Sequence, residues 1–241
     1  MKILFVFSGN SKKFSVAPFI ESQGNSLIKN GLDIAFFTVH GKGFRGYLSN
    51  ILRLRAYLKK NPANIIHAHY SLSGWIAVLA RPRVPIVLSL MGSDVYGDYI
   101  GYKKVALKSR YLTFLTLLIQ PFVSAIISKS RNIDDFVYRR NIAHVIPNGV
   151  VLENFQPLEK SDARKLLGLE QTKRYVLFLG NKNDKRKNYD LVAKAIDYLK
   201  DNNLELIAPF PISHQNVVKY FSAADVFASG AFMEGSPNVI K

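Results

Sequence analysis

One strongly basic segment carries the clearest chemical signal in this sequence. Four of the nine residues in Gly180–Asn188 are lysine or arginine, and they lie between an apolar run, Arg174–Leu179, and a helical pattern. A helix N-terminus disfavours cations, because the helix dipole is already positive there. A diphosphate would supply the counter-charge, since it accepts hydrogen bonds from helix amides and from ammonium groups. A solvated basic loop is the simpler alternative.

A second signal is the pair His67 and His69 at the end of the apolar run Asn64–Ala68. Residues two apart in a strand lie on the same face. No Asp, Glu or Cys accompanies the pair at ligand spacing, which argues against a metal site. Two interpretations remain open. The histidines form a hydrogen-bonded structural pair, or His69 faces a cleft and contacts a sugar hydroxyl or a developing charge.

Two further candidates follow predicted strands. Gly9 comes directly after the run Ile3–Phe7, and Glu234 follows the run Val226–Ala228. Ligands of open parallel sheets bind beyond the carboxyl ends of the strands, where a glycine lets the backbone approach them. A tight turn at Gly9 and an acidic helix cap at Glu234 are the alternatives. The sequence lacks G-x-G-x-x-G, which counts against a dehydrogenase.

The elements that must position these residues alternate between short apolar runs and amphipathic helical patterns. This alternation predicts an α/β fold with mainly parallel sheets. The predicted strands of the first series are Ile3–Phe7, Asp33–Val39, Asn64–Ala68, Ile86–Ser89, Ala125–Ser128 and His144–Ile146. The predicted helices between them are Ser15–Lys29, Gly46–Lys60, Leu72–Ala80, Val105–Ile119 and Ile133–Tyr138.

A second series begins after the turn residues Pro147–Val150. Its predicted elements are the strand Arg174–Leu179, the helix Tyr189–Lys200, the strand Leu204–Ala208, the helix Gln215–Ala223 and the strand Val226–Ala228. A doubly wound nucleotide-binding unit usually has about five or six strands. We therefore predict two Rossmann-like domains, residues 1–150 and 151–241, with the second one incomplete. A last helical start is predicted at Ser236–Lys241.

Composition and charge narrow the class of protein. Hydrophobic residues make up 48% of the chain, and the absence of cysteine excludes disulfides and cysteine nucleophiles. The net charge is +16, of which residues 1–110 carry +12 and residues 111–241 carry +4. Such a field attracts phosphates, anionic lipid or nucleic acid, or simply maintains solubility. No nucleic-acid-binding motif is present, and the N-terminal residues do not form a secretion signal.

Several of these segments together resemble one enzyme family. Ile146–Pro157 resembles the pattern Ile-Pro-Asn-Gly-Val-Asp-x-x-x-Phe-x-Pro, and Met91–Val95 resembles His-Gly-Ser-Asp-Val with methionine in place of histidine. With His69–Gly74, Gly180–Asn188 and Glu234, these motifs are similar to those of family 4 of the glycosyltransferases. That resemblance implies the GT-B fold of two Rossmann-like domains.

The resemblance also marks departures from the family pattern. The family's basic loop holds an arginine after its glycine and a lysine near its end. Lys187 matches the lysine, whereas Asn181 replaces the arginine, so that Lys182 or Arg186 would substitute for it. Glu234 matches the first glutamate of a pair separated by seven residues, and the second would fall immediately after Lys241.

By this resemblance, the chain transfers a sugar from a nucleoside diphosphate sugar to an acceptor hydroxyl, with retention at the anomeric carbon. The implied catalytic residues are His69, Lys187 and Glu234. The implied donor-binding residues are Gly9, Asn181, Lys182, Arg186, Gly235, Ser236 and Asn238. The donor is a UDP-sugar or a GDP-sugar. The sequence contains no Asp-x-Asp, so no metal and no other cofactor is expected.

The resemblance and the charge also suggest partners. The expected acceptor is a glycan or a lipid-linked glycan of surface polysaccharide assembly, and nucleic acid is not an expected partner. We expect a cytoplasmic protein. Peripheral binding to an anionic membrane at its inner face is an open alternative, favoured by basic residues on the helix Gly46–Lys60 and around Lys108. A truncated, catalytically impaired remnant that only binds a partner is the alternative function.

Overall fold

The protein is described from a computed structural model covering residues 1–10, 15–41 and 43–240. The chain forms two compact units. The first comprises Met1–Asp98, Ala106–Val150 and Gly235–Lys241, and the second comprises Tyr99–Val105 and Val151–Glu234. The chain therefore passes from one unit to the other more than once.

A parallel six-stranded sheet forms the centre of the first unit. Its strands are β1 (Lys2–Ser8), β2 (Asp33–Val39), β3 (Ile65–His69), β4 (Ile86–Leu90), β7 (Ala125–Ser128) and β8 (Ala143–Val145), in the spatial order β2-β1-β3-β4-β7-β8. Five consecutive residues of β1 are buried, as expected for a central strand covered on both faces. Strand order reverses between β1 and β3, which makes their carboxyl ends the switch point where ligands bind in such sheets.

The helices of the first unit follow the order of the predicted series, with differences in bounds and in the short helices. They are α1 (Pro18–Lys29), α2 (Gly43–Lys60), α3 (Ser71–Leu79), α4 (Ser93–Tyr96), α5 (Leu107–Ile119) and α6 (Arg131–Asp134). The short helix α4 was not predicted. The helix predicted at Ile133–Tyr138 is wrong, because α6 begins at Arg131 and ends at Asp134. The predicted helix start at Ser236 is a short 3-10 helix, Asn238–Ile240, and Lys241 lies outside the described residues.

The second unit contains a smaller parallel sheet. Its elements are α7 (Lys160–Leu167), β9 (Arg174–Leu177), α8 (Tyr189–Leu199), β10 (Leu204–Ile207), α9 (Val217–Ala223) and β11 (Val226–Phe227), with the strands in the order β10-β9-β11. The first strand, β9, is the middle one, so the carboxyl end of β9 is again a switch point. Helix α7 was not predicted. The described part of this sheet has three strands, fewer than a full nucleotide-binding unit usually has.

A short antiparallel hairpin, β5 (Tyr99–Gly101) and β6 (Lys104–Val105), also belongs to the second unit. It occupies Val105, which the sequence pattern assigned to a helix. That helix, α5, begins two residues later at Leu107. Among the described residues, no helix combines the length and the hydropathy needed to cross a bilayer.

Candidate functional site

The second unit brings three of the predicted site residues together beyond the carboxyl end of β9. Lys187 Nζ lies 2.5 Å from Glu234 Oε1, and Arg186 Nη1 lies 3.8 Å from Glu234 Oε2. The Lys187 and Glu234 side chains are each 23% exposed, so solvent screens their attraction only in part. Residues 47 positions apart in sequence therefore form one charged cluster.

Backbone contacts between two loops hold this cluster in place. Phe232 donates its amide to the carbonyl of Arg186 at 3.1 Å, which ties the loop after β11 to the loop after β9. Gly230 packs so closely on Asn188 that a Cβ at position 230 would lie 2.6 Å from the Asn188 carbonyl oxygen. Together these contacts set the position of Glu234 relative to Lys187.

The cluster lies at the start of α8, which has Asn188 as its N-cap. Besides its approach to Glu234, Arg186 contacts Asp184, with Nη2 3.3 Å from Oδ2. Two cations and two carboxylates are thus close to the N-terminal end of a helix, whose free amides and dipole favour anions. An incoming diphosphate would find two cationic partners here, and it would compete with Glu234 for Lys187.

Two predicted donor-binding residues have other contacts. The Asn181 side-chain oxygen accepts the amide of Asn183 at 3.0 Å, so it stabilises the turn of its own loop. Lys182 Nζ lies over the ring of Tyr189, 5.0 Å from its centroid, in a cation–π contact. Of the two substitutes considered for the missing arginine, the structure places Arg186, not Lys182, beside Lys187 and Glu234.

His69, the predicted catalytic histidine, belongs to the first unit and is buried at the end of β3. Its ring stacks on that of His67, with centroids 4.3 Å apart, and lies 4.7 Å from that of Phe5. Burial, and then the nearby charges of His67 and Lys129, lower the pKa of His69 well below its usual value. One sequence-based interpretation had this ring facing a cleft, whereas here it is packed against two other rings.

The two histidines differ in their hydrogen bonding. His67 Nε2 lies 2.8 Å from Ser89 Oγ, which matches the structural interpretation of the pair for His67. Neither ring nitrogen of His69 has a hydrogen-bond partner within the described residues. A buried polar group without a partner is costly, so a ligand hydroxyl reaching this ring would be stabilised. The catalytic role of His69 stays a prediction.

Asp94 organises the neighbouring loops of the first unit, a role that the sequence alone did not indicate. One carboxylate oxygen accepts the amides of Met91 and Gly92, both at 2.9 Å, and the other accepts the amide of Ser71 at 3.2 Å. The side chain thus joins the carboxyl ends of β3 and β4. Burial raises the pKa of Asp94 to about 6, although these hydrogen bonds favour the ionised form. The resemblance of Met91–Val95 to a family motif was the one sequence signal that could have indicated a role for Asp94.

The remaining candidates also lie in the first unit. A Cβ at Gly9 would lie 2.6 Å from His40 Cε1, so packing alone accounts for this glycine. A Cβ at Gly235 would lie 2.9 Å from Ile133 Cδ1 and 3.2 Å from the Met91 carbonyl oxygen. Ser236 is half-buried and Asn238 begins the 3-10 helix. The role of these four residues in binding a donor stays a prediction.

No three His, Asp or Glu side chains of the described chain are grouped so that they could hold a metal ion.

Residues 20–154 match the family described as Glycosyltransferase Family 4. This match covers more than half of the chain.

The chain belongs to glycosyltransferase family 4.

The predicted family membership is therefore confirmed. A curated relative is TuaC of Bacillus subtilis, described as a teichuronic acid biosynthesis glycosyltransferase, which is 27% identical over 199 residues. The match covers 73% of this chain and 49% of TuaC, so the chain spans about half the length of this curated relative.

Solved structures show the same architecture. Sucrose-phosphate synthase from Thermosynechococcus elongatus matches 99% of this family 4 chain with a TM-score of 0.71 and 16% identity, over 77% of its own length. HepE of Anabaena, in complex with UDP and glucose, matches 100% of the chain with a TM-score of 0.64 and 16% identity, over 77% of its own length. At this identity the likeness shows the fold alone, and it confirms the predicted α/β GT-B class.

Proposed function

We propose that this family 4 chain transfers a sugar from a nucleoside diphosphate sugar to an acceptor hydroxyl during assembly of a cell-envelope glycan. Family membership supports sugar transfer, and the named role of TuaC in teichuronic acid biosynthesis supports an envelope polysaccharide as the setting. The observation that carries the proposal is the pairing of Lys187 and Arg186 with Glu234 at the switch point of the second sheet.

The chemistry assigned to this cluster is electrostatic. As the bond between sugar and diphosphate breaks, negative charge accumulates on the leaving diphosphate. Fixed cations lower the barrier when they interact more strongly with the charge of the leaving diphosphate than with the intact donor. Lys187 would neutralise the leaving group together with Arg186, and the amides at the start of α8 would add hydrogen bonds. Glu234, once released from Lys187, would accept hydrogen bonds from the sugar hydroxyls.

Donor identity and stereochemistry are finer parts of the proposal. UDP is favoured over GDP, because HepE, which shares the fold, was solved in complex with UDP. Retention at the anomeric carbon follows from the family resemblance. The sequence contains no Asp-x-Asp to hold a metal-bound diphosphate, which favours the cationic loop as the group that neutralises it.

In this proposal, the acceptor binds to the first unit near the carboxyl ends of β1 and β3. His69 ends β3, and its ring nitrogens, which have no hydrogen-bond partner among the described residues, are suited to a sugar hydroxyl. Tyr70 follows with a positive φ of 80°, a strained conformation that often marks a binding segment. A lipid-linked acceptor would place the protein in the cytoplasm, at the inner face of a membrane.

Calorimetric titration with UDP, GDP and their sugars tests the donor site. The wild-type chain should bind one nucleotide saturably, and Lys187→Ala should weaken this binding at least about tenfold, since a charge-assisted hydrogen bond contributes about 1.5–3 kcal/mol. Lys185→Ala is the matched control, because Lys185 is an exposed lysine of the same loop. Its affinity should stay close to that of the wild type.

Two results would count against this donor site. Equal losses in Lys187→Ala and Lys185→Ala would mean that only the net charge of the loop matters. A folded chain that binds no nucleotide would favour the alternative function, a family 4 chain that binds a partner without catalysing transfer.

A further inference from the structure

Helix α5 of the first unit packs its inner side against neighbouring elements. Ser109, Thr116 and Ile119 are buried. Thr116 donates its hydroxyl to the Asp94 carbonyl at 2.6 Å, and the indole of Trp75 donates to the Leu115 carbonyl at 3.0 Å. These contacts fix the inner side of the helix against the unit, so the opposite side faces outward.

The outer side of α5 is apolar although it faces solvent. Leu107 is 79% exposed, Tyr111 67%, Phe114 52% and Leu118 44%. The spacing of four, three and four residues places these side chains in one line along the helix. Phe122, just beyond the helix, is 58% exposed. A surface helix normally carries polar residues on this side, so the line of apolar side chains requires an explanation.

Positive charge accompanies this line. Lys108 and Arg110 are exposed on α5, and Lys103 and Lys104 precede it in the sequence. No Asp or Glu occurs anywhere between Asp98 and Asp134. Exposed apolar side chains flanked by cations alone match the two components of an anionic bilayer surface, namely acyl chains and phosphate headgroups.

We propose that the outer side of α5 binds the surface of an anionic membrane, with Leu107, Tyr111, Phe114 and Leu118 entering the headgroup–acyl boundary. The helix has 13 residues, too few to span a bilayer but enough to lie in its interface. This inference rests on the proposed function, because it brings the enzyme to a membrane that carries its acceptor.

Charge favours a lipid surface over a second copy of the chain. Two copies meeting through this side would bring Lys108 and Arg110 of each copy together without any carboxylate from the same segment. Like charges at an interface oppose association. Anionic headgroups instead neutralise both cations while the acyl chains cover the apolar line.

Helix α2 provides a matched comparison on the same unit. It also exposes two apolar side chains one turn apart, Leu48 (49%) and Leu52 (63%), beside exposed basic residues. Two of its cations already have partners, since Arg53 donates to Asn50 Oδ1 and Arg55 donates to the Leu79 carbonyl. Among the side chains of α2 whose burial is described, no further large apolar residue that is exposed continues this pair at helical spacing. We therefore assign the membrane contact to α5 and not to α2.

Vesicle sedimentation tests the assignment. The wild-type chain should bind vesicles of phosphatidylglycerol and phosphatidylcholine in equal parts, and should bind pure phosphatidylcholine far less. The double variant Phe114→Ser, Leu118→Ser should lose affinity for the anionic vesicles by about tenfold or more, because apolar burial supplies much of the interfacial binding. The control Leu48→Ser, Leu52→Ser should stay within about twofold of the wild type.

Two further measurements make the outcomes decisive. The fluorescence of Trp75, the single tryptophan, checks that each variant is folded. Nucleotide calorimetry on the same variants should be unchanged, which separates failure of the membrane contact from failure of the donor site. Equal losses in both double variants, or no loss in the α5 variant, would overturn the assignment. A monomer–dimer equilibrium in sedimentation velocity that disappears with Phe114→Ser, Leu118→Ser would overturn it too, by assigning the surface to a second copy.

Discussion

Lys187 and Glu234 form a direct ion pair, with Nζ 2.5 Å from Oε1, inside the cluster that we assign to the donor diphosphate. The carboxylate therefore competes with any phosphate for the same ammonium group. Removing its charge in Glu234→Gln should strengthen binding of UDP or inorganic pyrophosphate, by about threefold to tenfold for a pair worth about 1 kcal/mol. Calorimetry at neutral pH measures this change.

The same substitution should impair sugar transfer, since a glutamine is a weaker partner for sugar hydroxyls than a carboxylate. Glu205→Gln is the control, because Glu205 pairs with Lys173 on the exposed end of β10. If Glu234→Gln left the affinity for pyrophosphate unchanged or reduced it, the ion pair would not be a competitor of the diphosphate.

A pH-dependent contribution to stability is expected from Asp94. Its pKa is raised by burial from 3.8 to about 6, so the stability that it contributes is fully present below about pH 4 and is lost as the pH rises through about 6. Asp94→Asn removes the charge and keeps an oxygen for the Met91 and Gly92 amides. The free energy of unfolding of the wild type, relative to this variant, should fall by about 2–3 kcal/mol between pH 4 and pH 7.

Urea denaturation at several pH values measures that difference directly. Because both proteins share every other titrating group, the large positive charge of the chain cancels in the comparison. A wild-type to variant difference that is the same at pH 4 and pH 7 would mean that folding does not raise the pKa of Asp94.

The opposite pH dependence is expected from His67. Burial and the charge of Lys129 lower the pKa of His67 from 6.5 to about 3, so its stabilising contribution is present above about pH 6.5 and is lost as the pH falls towards 3. His67→Gln keeps a partner for Ser89 and removes the titration. At pH 5 the wild type should have lost about 2 kcal/mol more than this variant, relative to pH 7.5.

Acid denaturation followed by circular dichroism compares the two proteins. His144→Gln provides the control, since His144 is exposed and its substitution should leave the acid transition unchanged. An acid transition that His67→Gln does not move would show that burial of this imidazole costs nothing in acid.

A steric prediction concerns Gly235. An added Cβ would lie 2.9 Å from Ile133 Cδ1 and only 3.2 Å from the Met91 carbonyl oxygen, which cannot move as easily as a side-chain end. Gly235→Ala should therefore destabilise the first unit by about 1–3 kcal/mol. Gly149→Ala is its counterpart, because nothing lies within 4 Å of a Cβ there. Thermal unfolding measures both variants, and equal midpoint temperatures would contradict the prediction.

Much of the fold could be predicted from the local pattern of apolar residues, because buried parallel strands appear in sequence as continuous apolar runs. Asp33–Val39 and Ala125–Ser128 were predicted with the bounds that β2 and β7 have. The error at Ile133–Tyr138 had a local cause and a tertiary cause. Ser130 caps a helix that begins earlier, and the Gln120 side-chain oxygen accepts the amide of Tyr138 and draws that segment away from helix.

Helix α7 has a C-terminal glycine signal but no apolar pattern in the sequence that would predict it. It ends at Gly168, whose left-handed conformation is typical of a helix C-terminus, and its buried face consists largely of Ala163 and the stem of Arg164. An arginine buried against Tyr175 and paired with Asp225 looks polar in sequence. Binary hydrophobic patterning therefore missed a helix that is held by a buried cation.

The basic loop of the candidate site could be predicted from its charge density. Contacts between residues that are distant in sequence could not be predicted. The basic loop was visible as a cluster, yet which cation meets Glu234 depends on the backbone bond from Phe232 to Arg186. That bond joins two loops through a carbonyl and an amide, which nearly every residue type offers. Sequence therefore ranked Lys182 and Arg186 equally, and only folding separated them.

The division of the first unit into separate chain segments has a consequence for its biosynthesis. All six strands of its sheet have been translated once Val145 has left the ribosome, so this sheet is able to form on the nascent chain. The contact of Gly235 with Met91 and Gly92 must wait until the whole of Val151–Glu234 has been made. The first unit can thus begin folding before Val151–Glu234 has been synthesised, and its contacts at Gly235 form only afterwards.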